Sequence, residues 1–375
     1  MARAHPALAR DREYMARALR LAARAAGQTS PNPLVGAVVV SGGRVIGEGY
    51  HRHPGGPHAE ILALKRVGRR ARGTTLYLTL EPCCHTNKRT PPCVPALIEA
   101  GLRRVVVAMA DPNAVVSGRG IRALKRAGIR VDVGCLATEA AALNRAYVHT
   151  MRTGLPWVLL KAGMSLDGQI ATASGESRWI TGEAARADAQ KLRAKVDAVV
   201  VGIGTVLRDD PQLTARVGAR VLARQPLRVV LDTRLRIPLT ARVLHAKAGR
   251  CLIMTSRAPR RKIAQLRAMG IEVVPQPAGR GGLSVTACMR SLAARGIQTV
   301  MLEGGSELNA AALSEGLVRE VRLYVAPRLI GGRDAIGLLG STAPALLKGA
   351  TMLDDVTIRR IGEDFIFSGM VSQFK

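Results

Sequence analysis

Aromatic residues are scarce in this chain of 375 residues, where Phe, Tyr and Trp together make up 3%. A core must therefore consist mainly of Ala, Val, Leu and Ile, which is feasible because apolar residues make up 47% of the chain. The formal net charge of +29 favours a polyanionic partner when taken alone. However, single-stranded nucleic acid is bound by stacking on aromatic rings, and the arginines are spread without a long basic block. We therefore expect phosphate-bearing small ligands and no nucleic acid.

The chain also lacks long apolar segments and a dense set of cysteines. No run approaches the roughly 20 apolar residues that a membrane-spanning helix needs, and residues 1–10 contain no apolar stretch typical of a secretory signal. Of six cysteines, Cys83, Cys84 and Cys93 lie close together. This clustering favours a metal site over a disulfide scaffold. We expect a cytoplasmic protein with no membrane partner.

The order of predicted elements indicates two α/β domains. Strands and helices follow one another as β-β-α-β-α-β-α from residue 35 to residue 127, and a connecting helix is expected over 138–150. The segment Thr153-Gly154-Leu155-Pro156 marks a boundary, and a second alternation of strands and helices begins at Trp157. We assign residues 1–150 to the first domain and 151–375 to the second.

The first domain contains a pattern of zinc ligands. His58-Ala59-Glu60 opens a predicted helix, and Pro82-Cys83 and Pro92-Cys93 follow downstream. One His and two Cys leave a fourth zinc position for water, as in catalytic zinc sites. Glu60 can sit beside that water without binding the metal and pass a proton to a leaving amine. This pattern is typical of zinc deaminases that act on nucleobases.

Other side chains near this pattern are alternative zinc ligands, namely His51, His53, His85 and Cys84. The first two are expected to line the pocket or to remain solvated. Cys84 is disfavoured because adjacent cysteines rarely both fit one tetrahedral site, so the zinc is assigned to His58, Cys83 and Cys93. A zinc-stabilised scaffold without activity is a further interpretation, but such a scaffold has no need for an acidic residue beside an open position.

Short segments distributed over nearly the whole chain are similar to those of one enzyme family. They are Pro31-Asn32-Pro33, Val35-Gly36, His58-Ala59-Glu60, Glu81-Pro82-Cys83, Thr90-Pro91-Pro92-Cys93, Asp111-Pro112-Asn113, Gly118-Arg119-Gly120, Lys161, Ser165-Leu166-Asp167-Gly168, Ser177-Arg178-Trp179-Ile180-Thr181, Thr205 to Arg216 and Glu303-Gly304-Gly305. These segments resemble the bifunctional deaminase–reductase family of riboflavin biosynthesis. Two departures are a loop between the two zinc-binding cysteines that is one residue longer than usual, and Ala114 where a Pro is common.

The resemblance implies an α/β fold with a cytidine-deaminase-like layered N-terminal domain and a dihydrofolate-reductase-like C-terminal domain. It implies a zinc-dependent hydrolysis that removes a ring amine from a diaminopyrimidinone carrying a phosphoribosylamino group. Reduction of the ribosyl group to ribityl by NADPH follows. The implied partners are phosphorylated pyrimidines, and a homo-oligomer is expected. The main alternative is a nucleic-acid base deaminase with an attached binding domain, which the basic charge favours.

Cofactor binding in the second domain does not follow the Rossmann fingerprint. Gly202-Ile203-Gly204 follows a predicted strand, but Leu207 stands where a third glycine is required. Glu303-Gly304-Gly305-Ser306 ends a strand and begins a helix, whose N–H groups can bind a cofactor phosphate. The resemblance implies cofactor contacts at Gly163, Trp179, Thr205, Asp209, Thr233, Gly305, Ser306, Glu307, Leu308, Asn309, Ala310 and Ala311.

The resemblance also implies substrate contacts in the second domain, at Ser177, Arg193, Leu213, Arg216 and Glu303. Arg193 and Arg216 are suited to this role because guanidinium groups bind a sugar phosphate bidentately. Hydride transfer requires orientation more than a protein nucleophile, so no catalytic base is assigned in this domain.

Overall fold

The computed structural model describes residues 6–85, 90–246, 248–279, 282–340, 344 and 346–372. The chain divides into two compact units, Met1–Gly154 and Leu155–Lys375. The division falls inside the Thr153-Gly154-Leu155-Pro156 segment. No helix of the described ranges combines the length and the apolar character that crossing a membrane requires.

The first unit is built on a mixed five-stranded sheet. Its strand order is β2-β1-β3-β4-β5, in which β1 runs antiparallel to both neighbours and β3, β4 and β5 are parallel. The strands are β1 (Gly36–Ser41), β2 (Arg44–Tyr50), β3 (Thr75–Leu78), β4 (Arg104–Val107) and β5 (Arg130–Val133), and the helices are α1 (Pro6–Ala23), α2 (Ala59–Val67), α3 (Cys93–Glu99), α4 (Arg119–Arg126), α5 (Ala137–Leu143) and α6 (Arg145–Thr153), with a 3-10 helix at Gly68–Ala71.

Both faces of this sheet are covered, because alternate strand residues point to opposite faces. Ala37 and Val39 pack in a core with residues of α2, α3 and α4. Val38 and Val40 pack in a second core with Met15 of α1 and a residue of α5. The result is a three-layer arrangement that leaves the carboxyl ends of the parallel strands open to the loops that follow them.

Three features of the first unit differ from the sequence-based expectations. Strand β5 was not predicted. The single helix expected over 138–150 is two helices that break at Asn144, whose side chain accepts a hydrogen bond from the Leu34 N–H and donates one to its carbonyl. The sequence predicts a helix from Asp11 to Gly27, but α1 ends at Ala23 because residues 24–28 form successive turns.

The second unit contains a nine-stranded sheet of order β13-β12-β11-β8-β16-β6-β17-β20-β19. Its strands are β6 (Trp157–Ser165), β8 (Ala198–Gly202), β11 (Leu227–Leu231), β12 (Cys251–Thr255), β13 (Glu272–Pro275), β16 (Thr299–Leu302), β17 (Val318–Ala326), β19 (Leu353–Ile361) and β20 (Asp364–Val371). Short pairs are β7 (Gln169–Ala171) with β18 (Ile336–Gly337), β9 (Arg216–Val217) with β10 (Arg220–Val221), and β14 (Ala278–Gly279) with β15 (Gly282–Leu283). The helices are α7 (Glu183–Arg193), α8 (Ile203–Asp209), α9 (Arg242–His245), α10 (Arg260–Ala268), α11 (Val285–Ala294) and α12 (Ser306–Ser314), with a 3-10 helix at Leu347–Gly349.

Seven neighbouring strands of this sheet, from β13 to β17, are parallel, whereas β20 and β19 are antiparallel additions at one edge. Val158 and Leu160 of β6 belong to the core on one face, and Leu159 belongs to the core on the other face. Parallel sheets covered on both faces bind ligands beyond the carboxyl ends of their strands. The residues at those ends are therefore the ones that position a second site.

Candidate functional site

Four side chains of the first unit converge beyond the carboxyl end of β3. His58 caps α2, Glu60 lies in its first turn, Cys83 follows β3, and Cys93 is the first residue of α3. The His58 Nδ1 atom lies 3.2 Å from Cys93 Sγ and 3.5 Å from Cys83 Sγ. All four side chains place a possible ligand atom within 4.8 Å of one another. A tetrahedral zinc ion with ordinary bond lengths separates sulfur from nitrogen by about 3.6 Å, so the spacing fits zinc.

The backbone fixes the two cysteines relative to each other. The Cys83 carbonyl accepts hydrogen bonds from the N–H groups of Cys93 and Val94 at 3.0 and 3.3 Å. These donors are the free N–H groups of the first turn of α3, which need acceptors. The two ends of the loop between the cysteines are therefore hydrogen-bonded to each other. Residues 86–89 of this longer loop lie outside the described residues.

Glu60 supplies a carboxylate buried beside the sulfur and nitrogen donors. Its side chain is 2% exposed, and its Oε2 atom has no hydrogen-bond partner within the described part of the chain. Burial raises the pKa of Glu60, and contact with Cys83 together with burial raises the pKa of Cys93. A buried oxygen without a partner is costly. This oxygen of Glu60 therefore fits a pocket that receives a polar ligand.

The alternative ligands lie outside this group of four. His51 is buried and its ring lies 5.3 Å from that of His58. Burial lowers the pKa of His51, and its two ring nitrogens lie 3.0 Å from Asn32 Nδ2 and 3.2 Å from the Pro57 carbonyl. This arrangement suits a neutral ring whose Nε2 accepts from Asn32. Each histidine was expected either to line the pocket or to remain solvated. His51 lines the pocket, and His53 is exposed to solvent.

Glu81 is a residue near the site whose role the sequence did not indicate. Its carboxylate is buried and accepts hydrogen bonds from four backbone N–H groups. These belong to Asp111, Gly118, Gly120 and Ile121, at 2.8 to 3.2 Å. Because Glu81 lies two residues before Cys83, it ties the 111–121 loop and the start of α4 to the segment that carries a predicted zinc ligand.

Predicted cofactor residues of the second unit follow neighbouring parallel strands. Gly163 lies near the end of β6, Thr205 follows β8, Thr233 follows β11, and Gly305 follows β16, and these strands are adjacent in the order β11-β8-β16-β6. A Cβ atom placed on Gly305 would approach Thr205 Oγ1 at 3.9 Å, and Cβ atoms on Gly202 and Gly204 would meet no atom within 4 Å. Open backbone at this edge is suited to close approach of a dinucleotide.

Helix α12 begins where the sequence predicted a phosphate-binding turn, with Gly305 as its N-cap. Its residues Ser306 to Ala311 include Asn309, which is fully buried and donates to the Leu338 carbonyl while its Oδ1 lacks a partner among the described residues. Glu307 lies against Gly340, where an added Cβ would come within 2.5 Å of its carboxylate. These contacts attach the 337–340 segment to the start of the helix.

Three substrate or cofactor candidates form a second group. Ser177 Oγ donates to Asp209 Oδ1 at 3.3 Å. Trp179 is 62% exposed, and the Arg186 guanidinium lies 4.6 Å from its ring centre. Arg328 donates to the Trp179 carbonyl. The ring is therefore exposed to solvent with one guanidinium stacked against it, and its predicted contact with the cofactor stays a prediction.

The structure pairs Arg193 with Glu303, a contact that the sequence did not indicate. The Arg193 Nε and Nη2 atoms donate to the two oxygens of Glu303 at 3.1 and 2.5 Å, and Nη1 donates to the Thr214 carbonyl at 2.8 Å. Arg193 is therefore held in a fixed orientation by the protein. Arg216 binds Thr214 Oγ1 through Nε, and buried Leu213 is next to that threonine. Substrate contacts at these residues stay predictions.

Lys161 joins this pair and was quoted above only as part of a family motif. Burial lowers the pKa of Lys161, and the Glu303 carboxylate opposes that shift. Burial acts to raise the pKa of Glu303, but Arg193 and Lys161 together bring it below the usual range. The Lys161 ammonium also lies 5.7 Å from the centre of the Tyr324 ring. A buried lysine with a lowered pKa in the middle of β6, near Glu303, is a candidate proton donor.

Comparison with known proteins identifies both units. Residues 8–109 match the cytidine and deoxycytidylate deaminase zinc-binding region. Residues 156–367 match the RibD C-terminal domain. Together with the sulfur and nitrogen donors around His58, these matches define a bifunctional enzyme in which a zinc-dependent deaminase domain precedes a reductase domain.

Relatives share this organisation over almost their full length. The riboflavin biosynthesis protein RibD of Escherichia coli is 43% identical over 94% of this chain and 97% of its own, and that of Actinobacillus pleuropneumoniae is 42% identical over 96% and 95%. A solved structure of Acinetobacter baumannii RibD has 40% identity and a TM-score of 0.88, covering 98% of this chain and 100% of that one. The chain belongs to the RibD family of riboflavin biosynthesis proteins.

Family membership confirms several expectations. The two-domain α/β fold, the bifunctional deaminase and reductase activity in riboflavin biosynthesis, and the cofactors zinc and NADPH are those of the RibD family. Small-molecule substrates agree with an enzyme of this kind. The alternative of a nucleic-acid base deaminase with a binding domain is wrong, because the second unit is a reductase domain.

Proposed function

We propose that His58, Cys83 and Cys93 hold the zinc ion of the deaminase domain and that Glu60 carries protons beside it. The observation that carries this proposal is the gathering of the four side chains within 4.8 Å. Two sulfurs and one imidazole nitrogen form a donor set that zinc prefers, and three protein ligands leave a position for reaction. When bound, zinc would lower the pKa of a water molecule, so that hydroxide is available for attack at neutral pH.

Glu60 is suited to transferring a proton between the attacking water and the leaving amine. Its Oε2 atom is buried and has no partner among the described groups, so it is available to a ligand. Burial raises the pKa of Glu60, so its carboxyl group takes up a proton more readily than an exposed one. His51, whose ring lies 5.3 Å from that of His58, and Asn32, whose Nδ2 lies 3.0 Å from His51 Nε2, lie beside these residues.

The Thermotoga maritima relative, which is 32% identical, is named as a diaminohydroxyphosphoribosylaminopyrimidine deaminase and 5-amino-6-(5-phosphoribosylamino)uracil reductase. We propose the same two reactions here, in that order. Hydrolysis of a ring amine releases ammonia in the first domain. The ribosyl group of the product is then reduced to ribityl in the second domain, where bound NADPH supplies the hydride.

In the reductase domain we propose that the cofactor lies across the carboxyl ends of β11, β8, β16 and β6. The predicted contacts at Gly163, Thr205, Thr233 and Gly305 follow these strands. The reduction consumes one proton with each hydride, so a proton donor is required near the sugar. The cluster of Lys161, Glu303 and Arg193 supports this role, because the pKa of its lysine is lowered by burial.

A coupled assay with the purified full chain tests both halves. Ammonia release and NADPH oxidation are measured separately on the diaminopyrimidine substrate. We expect ammonia to appear without NADPH, and NADPH oxidation to require the deaminated product. NADPH oxidation with no ammonia release, or ammonia release from a nucleic-acid base, would contradict the proposal.

We also propose that the enzyme is a homo-oligomer located in the cytoplasm and that nucleic acid is not a partner. Strand β19 is an edge strand that carries exposed Val356 and Ile358, and such edges tend to pair. All six cysteines are free thiols, as is typical of a reducing compartment. Light scattering during size exclusion tests the oligomeric state, and we expect the Ile358→Lys variant to be a monomer. Retention on a nucleic-acid column at physiological salt would contradict the proposal that nucleic acid is not a partner.

A further inference from the structure

A basic pocket lies in the first unit between α1, β2 and α2, apart from the four convergent side chains. It consists of a partly enclosed cavity of about 120 Å³ and an adjoining, more open one of about 350 Å³, which share Leu21, Arg24 and Glu48. Five arginines line the two cavities against a single acidic residue. They are Arg17, Arg20, Arg24, Arg52 and Arg66.

Contacts within the protein orient four of these five guanidinium groups. Arg17 forms an ion pair with the Glu48 carboxylate. Arg66 donates to the Glu48 carbonyl at 3.0 Å. The guanidinium groups of Arg24 and Arg52 lie 5.3 and 5.5 Å from the centre of the Tyr50 ring, which is within the range of cation–π attraction. Ordering side chains in advance lowers the entropic cost of binding a ligand.

The charge of the pocket is not balanced from within. Glu48 neutralises Arg17, and within the described ranges Arg20, Arg24 and Arg52 form no ion pair with an acidic side chain. Two cations gathered on one tyrosine ring repel each other unless an anion lies between or beside them. An anion bound between these arginines would relieve that repulsion.

The geometry points to a binding site for a small phosphate-bearing anion. Guanidinium groups bind phosphate oxygens with planar, bidentate hydrogen bonds. The partly enclosed cavity has the volume of about four water molecules at about 30 Å³ each, which is enough for one phosphate group. The open cavity, with Leu21 and Leu62 beside the arginines, leaves room for an organic part of the ligand.

The pocket is connected along the chain to the deaminase site. Tyr50, which holds two of the arginines, ends β2 and is followed directly by His51. His51 lies against His58. A ligand that draws Arg24 and Arg52 together therefore acts on the strand end that carries a residue of the deaminase pocket. The binding proposal does not depend on the proposed reaction, because it rests on charges outside that site.

The test measures binding of inorganic phosphate to the zinc-loaded full chain. No nicotinamide cofactor is added, because its phosphates would compete for the pocket, and sodium chloride holds the ionic strength constant. The Arg24→Gln/Arg52→Gln variant is compared with Arg69→Gln/Arg70→Gln, which removes the same charge from an exposed 3-10 helix outside the pocket. Phosphate bound in the reductase domain is the same in both variants and cancels in the comparison. We expect at least a tenfold rise in the dissociation constant for the first variant and less than a twofold change for the second.

Three results would overturn the proposal. These are equal weakening in both variants, no saturable phosphate binding to the unmodified chain, and loss of affinity for a short single-stranded oligonucleotide with phosphate binding unchanged. Melting curves identify a variant that fails to fold, in which case the single variants Arg24→Gln and Arg52→Gln replace the double one. Since the readout is a binding isotherm and not turnover, a negative result leaves the proposed enzymatic reactions untouched.

Discussion

Glu60 and the three zinc-binding candidates illustrate what single residues reveal. The sequence indicated them because catalysis needs particular residue types at particular spacing, and the four side chains do lie together. Glu81 and Lys161 gave no such signal. An isolated Glu or Lys has many surface roles, and only the fold places Glu81 beside four backbone N–H groups and Lys161 beside Glu303.

At Glu60 we predict that substitution by Gln separates metal binding from proton transfer. Glu60→Gln keeps the size of the side chain but cannot accept and return a proton. We expect ammonia release to fall by about 10²–10⁴-fold, with zinc content and NADPH oxidation on the deaminated substrate unchanged. As a control, Glu99→Gln alters a carboxylate at the end of α3. Undiminished ammonia release from Glu60→Gln would contradict the assigned role.

At Arg193 we predict a joint loss of stability and of substrate affinity. Arg193→Ala leaves the Glu303 carboxylate without its bidentate partner, and breaking a buried pair in this way costs about 3–5 kcal/mol. The side chains of Arg193 and Glu303 are 13% and 11% exposed, so water does little to stabilise the Glu303 charge that remains. Chemical denaturation and the KM of the reductase step are measured, with exposed Arg290→Ala as control. A lower stability with an unchanged KM would make Arg193 purely structural.

At the scale of elements, alternating and helical apolar patterns predicted most strands and helices. The strands that the sequence predicts at 227–231, 251–255 and 299–302 are β11, β12 and β16, and the helix predicted at 285–294 is α11. Strand β5 was missed because its four residues include Asp132, which pairs with Arg104 of the neighbouring strand. The break at Asn144 depends on Leu34, which is 110 positions away. Contacts of such long range leave no local pattern to detect.

The start of α4 gives a prediction at this scale. A Cβ atom on Gly120 would lie 2.1 Å from the Pro82 carbonyl oxygen, so Gly120→Ala must displace the segment that carries Cys83. We expect ammonia release to fall by about tenfold to 100-fold, with weaker zinc retention against a chelator and normal NADPH oxidation. Lys125→Ala, an exposed change on the same helix, should leave all three quantities unchanged. Normal zinc retention in Gly120→Ala would show that the close approach is unimportant.

At the scale of the whole molecule, family motifs spread along both halves gave the two activities from sequence alone. They did not give the order of the nine-stranded sheet, because strand order depends on packing between distant segments. That order explains why candidate residues from four separate parts of the second unit lie at one edge. The compact units have separate cores, so each activity should depend on its own cofactor.

We therefore predict that removing zinc affects one activity only. Dialysis against a strong chelator should abolish ammonia release and leave NADPH oxidation on the deaminated substrate within about twofold of its starting rate. Within the described parts of the chain, the side chains gathered as possible metal ligands belong to the first unit. Restoring zinc should restore ammonia release. A parallel loss of both activities would show that the reductase domain depends on the metal.

The most direct measurement is zinc analysis of the purified full chain combined with X-ray absorption at the zinc edge. We predict one zinc ion per chain with two sulfur ligands, one imidazole ligand and one light-atom ligand from solvent. A chain that binds no zinc, or a zinc ion whose fourth position is filled by another side chain, would contradict the account of the deaminase site.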